Sequence, residues 1–176
     1  MPFPVEETDR LLSTTRSVRR RLDLERPVPE ELILDCIDIA EQAPTGGNQP
    51  SRRWLVIRDP KVKAQLADLY REAGGTWLSE RATALAGSGD PREPAARSGG
   101  YLADHLHEVP ALVLATIYGE HDGSGRPGLF DSVLQAAWSF CLAARSRGIG
   151  TAWTTLHLGA ADRVADLLEI PDGVTQ

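Results

Sequence analysis

Apolar residues recur every three or four positions along most of this chain, with two short continuous apolar runs between. Leu32, Cys36, Ile39 and Ala43 repeat on one face, with Ile33, Ile37 and Ala40 beside them. Pro29 suits the first turn of that helix, and Glu30 and Glu31 stand near its positive end. The helix must stop before Pro44. Residues 54–57, between Arg53 and Arg58, read as a buried strand. Asp59-Pro60 opens another helix, with Val62, Leu66, Leu69, Tyr70 and Ala73 facing inward. Residues 101–108 read as a short helix and 110–118 as a second strand. Residues 129–147 form the strongest helix, apolar on most sides through Leu129, Val133, Leu134, Ala137, Trp138, Phe140 and Cys141. Such a helix is buried on most sides, at a domain centre or a subunit interface. Gly148 caps it, 151–156 read as a third strand, and 160–170 as a last helix before Pro171.

Residues 74–100 break the pattern with six glycines, two prolines and several charges, and are expected to form a mobile lid or long connection. No internal repeat is present. Strands separated by helices predict a small central sheet covered by helices in one domain, residues 1–176. The closing Pro171-Asp172-Gly173-Val174-Thr175-Gln176 is a turn followed by the start of a strand, so a C-terminal strand is expected to be missing.

The 176 residues are 41% hydrophobic with a formal charge of -6, enough apolar content for a core and no field to gather nucleic acid. Cys36 and Cys141 sit among apolar residues and read as buried free thiols of a reducing compartment. The N-terminus has no signal-peptide pattern, and no apolar run is long enough to cross a bilayer. A cytoplasmic protein without membrane or nucleic-acid partners is expected.

Two segments could carry chemistry. Arg16 and Arg19 flank Ser17, and guanidinium groups with a hydroxyl suit a phosphate monoester. Residues 43–50 run from a helix end into a Gly-Gly turn, where small residues let a planar ligand approach the backbone and Asn48 offers an amide. Either segment alone also reads as a solvated helix end or an ordinary connector. Gly148-Ile149-Gly150-Thr151 follows a helix and opens a strand, the reverse of a dinucleotide fingerprint. His105 and His107 point to different helix faces, His121 and His157 stand apart, and no metal-type cluster appears. No nucleophile elbow or Ser/His/Asp set can be placed. A shortage of catalytic side chains is what a cofactor-dependent enzyme would show.

Taken in order, Arg16-Ser17-Val18-Arg19, Pro27-Val28-Pro29, the helix over 33–43, Ala43-Pro44-Thr45-Gly46-Gly47-Asn48 and the 54–57 strand resemble the opening of the FMN-dependent nitroreductase family. The long apolar helix running into Gly148-Ile149-Gly150-Thr151-Ala152-Trp153-Thr154-Thr155 is similar to that family's second signature. The resemblance implies an α+β class, a nitroreductase-like α/β sandwich whose small central sheet is flanked by helices, assembled as a homodimer with FMN at the interface. It implies that Arg16, Ser17 and Arg19 hold the phosphate and ribityl chain. Pro44, Thr45, Gly46 and Asn48 would approach the flavin ring from the other subunit, and Thr154, Thr155 and Leu156 would line its edge, largely through backbone groups. No side chain is implied as catalytic, and no metal. The implied activity is a two-step transfer from NADH or NADPH, through FMN, to a nitroaromatic, quinone or similar small acceptor. Flavin binding or storage without turnover is the alternative. The chain departs from the family at Thr15, where an arginine is common, and at Asn48-Gln49-Pro50-Ser51-Arg52, where Asn-x-Gln-x-Trp is common.

Overall fold

A computed structural model describes residues 3–119 and 131–176. Its elements run α1 (Val5–Thr14), α2 (Glu30–Ala40), β1 (Arg52–Ile57), α3 (Pro60–Tyr70), α4 (Thr76–Leu85), α5 (Glu93–His105), β2 (Leu112–Tyr118), α6 (Asp131–Ser146), α7 (Ala161–Leu168) and β3 (Val174–Thr175). Leu129 and His121 lie outside the described residues.

The strands form an antiparallel sheet in the order β1-β2-β3. Its register pairs Leu55 with Leu114 and Ile57 with Leu112. Side chains alternate across a strand, so these residues share one face and Trp54 takes the other. Ile57, Leu112 and Leu114 pack with Leu66 and Leu69 of α3 and Val164 of α7. On the opposite face Trp54 stacks on Phe140 of α6 at 5.7 Å between ring centroids. Behind it Cys36 of α2 is fully buried against Ala143 and Ala144 of α6. The sheet is therefore sandwiched between α3–α7 and α6–α2, an α+β arrangement.

Asp59 caps α3, its carboxylate accepting the N–H groups of Lys61 and Val62. A single π turn, Arg71–Gly75, carries the chain directly from α3 into α4. The 74–100 region is thus largely helical. α5 begins at Glu93, well before the helix start expected near residue 101, although Gly99 and Gly100 lie inside it. Helix propensity disfavours those glycines, but a Cβ on Gly99 would lie 3.3 Å from Leu78 Cδ2. Their bareness lets α4 and α5 pack closely.

The expected strand over 151–156 does not form. Residues 151–155 are irregular and Leu156–Ala160 is a 3-10 turn. The place beside β2 is taken instead by β3, whose Val174 and Thr175 pair with Tyr118 and Ile117.

Candidate cofactor-binding site

The basic segment after α1 is irregular and is held by backbone. The Val18 N–H donates to the Thr151 carbonyl at 2.7 Å. Gly150 lies under it, where an added Cβ would be 3.2 Å from Leu22 Cδ2 and 3.3 Å from Val18 Cβ. A side chain at 150 would push the basic segment outward. The Gly-Ile-Gly sequence thus serves packing. Thr15, at the family's arginine position, is buried and donates to the Leu11 carbonyl at 2.6 Å.

Ser17 is exposed, and its hydroxyl has no hydrogen-bond partner among the described residues. Arg16 is exposed, with Nη1 donating to the Thr15 carbonyl at 2.7 Å. Arg19 is half-buried and reaches Ser98 Oγ of α5 at 3.5 Å. The Tyr70 hydroxyl and Thr154 Oγ1 are 2.8 Å apart. Burial pushes the Tyr70 phenol up, opposed by the Thr154 hydrogen bond and the Arg19 charge. The end of α3, α5 and the 150–154 segment therefore converge on the predicted phosphate residues. Arg20 meets the same helix one turn further on, its guanidinium 6.0 Å from the centre of the Tyr101 ring.

Thr154 and Thr155 line a cavity of about 630 Å³ together with Trp54, Phe140, Cys141 and His157. Leu156 packs its side chain inward on Gly74 and the α3–α5 core. The buried Nε2 of His157 has no partner among the described residues. Burial pushes the His157 imidazole down, disfavouring its charged form in the fold. The unfolded chain takes up that proton first as pH falls below about 6.5, so stability is lost on acidification from there. A lower melting temperature at pH 5.5 than at 7.5 is expected, and His157→Gln should flatten the difference. An unaltered pH slope in that variant would contradict it. Burial also pushes the Cys36 and Cys141 thiols up, away from nucleophilic thiolate.

The turn with Pro44, Thr45, Gly46 and Asn48 is placed by other elements. Gly47 and Asn48 have φ of 62° and 54°, a left-handed pair that glycine and asparagine tolerate. Gly46 and Asn48 stay exposed. The Gly46 N–H donates to Ser132 Oγ of α6 at 3.0 Å. Arg52, buried in β1, donates to the carbonyls of Glu41 and Ala43 at 2.9 Å each and to Ser132 O at 3.1 Å. No hydrogen bond among the described residues joins this turn to the Arg16–Arg19 group. The motifs in the sequence give no site role to Tyr70, Ser132, Glu41 or Arg52. Strand alternation was the available signal for Arg52, because it shares the inner face with Trp54.

The model of the Nitroreductase family matches residues 12–176. Solved structures of the same fold include the FMN-dependent nitroreductase NfnB from Mycobacterium smegmatis in complex with NADPH. It has 18% identity and a TM-score of 0.69, with 97% of this chain and 86% of that one covered. An iodotyrosine deiodinase bound to FMN and 3-iodo-L-tyrosine has 21% identity and a TM-score of 0.67, with 93% and 82% covered. A BluB-like flavoprotein from Clostridium difficile 630 has 21% identity and a TM-score of 0.65, with 98% and 83% covered.

Proposed function

The chain belongs to the nitroreductase family, and we propose that it is an FMN-dependent oxidoreductase carrying reducing equivalents from NADH or NADPH to a small oxidised acceptor, a nitroaromatic or quinone, in two half-reactions. Family membership supports the FMN-dependent chemistry in general. The observation that carries the reading to named residues is the packing of Arg16-Ser17-Val18-Arg19 on the 150–154 segment. It leaves a Ser17 hydroxyl without a partner among the described residues, an exposed Arg16 and a half-buried Arg19 in one short segment. These groups fit a phosphate monoester. The orphaned His157 Nε2 and the cavity lined by Thr154 and Thr155 suit a polar, planar ring nearby.

Bound FMN would supply the hydride chemistry. The chain's own residues bind and orient. Arg16, Ser17 and Arg19 hold the phosphate. Thr154, Thr155 and Leu156 offer backbone groups at the ring edge. Pro44, Thr45, Gly46 and Asn48 meet the flavin of a partner subunit, which accounts for their separation from the phosphate group within one chain. The dimer reading has its own support in α6. Leu134 and Trp138, one helical turn apart, are 50% and 42% exposed, and Trp153 and Leu158 are exposed as well. Among the described residues no helix is long and apolar enough to cross a membrane.

Anaerobic reduction tests the activity. Protein loaded with FMN is expected to lose its yellow absorbance on addition of NADH or NADPH, and to regain it when a nitroaromatic or quinone is added. Retained colour with both nucleotides would leave a flavin-binding protein without turnover. Failure to take up flavin at all would overturn the reading.

A further inference from the structure

We infer that Arg52 is a positioning residue for the flavin-facing turn, its buried guanidinium fixing the backbone of residues 41–46 in the shape that meets the cofactor. This rests on the flavin reading above. The Arg52 side chain is 2% exposed. Its Nη2 donates to the carbonyls of Glu41 and Ala43, and its Nη1 to Ser132 O and, at 3.5 Å, to Pro44 O. Its Nε donates to Glu41 Oε1 at 3.1 Å.

The chemistry of these acceptors explains the arrangement. α2 ends at Ala40, and carbonyls just past a helix end lack partners within the helix. They also lie at the negative end of the helix dipole, where a cation is favoured. Arg52 takes up three of them and ties them to the first turn of α6. Ser132 completes the clamp, because its Oγ accepts the Gly46 N–H while its carbonyl accepts from Arg52. Glu41 neutralises the buried charge, and the same Oε1 accepts the Trp54 indole N–H at 2.7 Å. Trp54 in turn stacks on Phe140.

A buried ion pair adds little net stability over well-packed apolar residues. What the planar fork provides is direction, with several donors at fixed angles. An ammonium group at this position cannot span the same carbonyls. The turn itself contains two left-handed residues and few internal bonds, so its shape depends on this external support.

The test compares Arg52→Lys and Arg52→Gln with Lys63→Met. Lys63 is also a buried cation bonded to a carbonyl, that of Val109 at 2.6 Å, but it lies away from the turn. Three quantities are measured: FMN affinity by fluorescence quenching, melting temperature, and amide exchange of residues 42–48. Arg52→Lys is expected to weaken FMN binding by about tenfold, the loss that goes with one binding hydrogen bond out of place. Exchange should quicken in 42–48 in the apo protein. Lys63→Met should lower the melting temperature while leaving FMN affinity and that exchange unchanged. Arg52→Gln should exceed Arg52→Lys; if it does not fold, the lysine variant decides alone. Wild-type FMN affinity in Arg52→Lys, or an equal loss in Lys63→Met, overturns the assignment. A wild-type protein that takes up no FMN sinks the flavin reading itself, and unchanged exchange at 42–48 would then sink the clamp as well.

Discussion

Arg16→Ala and Arg19→Ala are each expected to weaken FMN binding by about 10- to 150-fold, the equivalent of the roughly 1.5–3 kcal/mol carried by a hydrogen bond to a charged group. Arg20→Ala and Arg21→Ala should change it little. For Arg20 the contrast follows from placement; for Arg21, which lines the cavity of Thr154 and Thr155, it rests on the Arg-Ser-x-Arg resemblance. Arg19 reaches Ser98 and its charge is felt at Tyr70, which bonds Thr154. Arg16 is exposed, and the adjoining Ser17 hydroxyl has no partner among the described residues. Arg20 instead lies over the Tyr101 ring, a contact of modest strength at 6.0 Å. A general basic patch would lose affinity evenly across the four variants. Fluorescence titration that found four equal affinities would count against the phosphate assignment.

Trp138→Asp is expected to convert the protein into monomers that do not retain flavin. Trp138 lies on the open side of α6, one turn from Leu134, while Ala136, Cys141, Ala143 and Ala144 fill the inner side. Burying an unpaired carboxylate in a subunit interface costs several kcal/mol, so the dimer should separate while the protomer core is untouched. Phe140→Asp asks a different question. That ring stacks on Trp54 inside the protomer, so its loss should unfold the chain rather than dissociate it. Sedimentation with in-line flavin absorbance distinguishes the cases. A Trp138→Asp dimer with bound FMN would place the interface elsewhere.

Local pattern made the long helices and the first two strands legible. The α2 face, the Asp59-Pro60 start of α3 and the 54–57 run all carry their cause in neighbouring residues. The failures have non-local causes. Thr151 to Thr155 looks like a strand in isolation, yet its carbonyl at 151 is engaged by Val18, 133 positions away in sequence. β3 is two residues long and exists only because β2 offers an edge. Gly99 and Gly100 read as helix breakers because the surface they meet belongs to α4. In the site, the resemblance drew attention to the residues expected to touch the ligand. Those that support them were hidden. In the sequence Arg52 stands out only as a departure from the family's Asn-x-Gln-x-Trp, and Ser132 only as a position in an apolar helix, because the groups they bond lie up to 86 residues away rather than beside them.

The most direct measurement is a paired titration of the purified protein with FMN and with riboflavin, which share the ring and differ in the phosphate. FMN is expected to bind at one per protomer and at least about tenfold tighter than riboflavin, a gap of roughly 1.4 kcal/mol or more. The gap should close in the Arg16→Ala, Arg19→Ala double variant. Equal affinity for the two flavins, or a gap that survives loss of both arginines, would contradict the phosphate assignment.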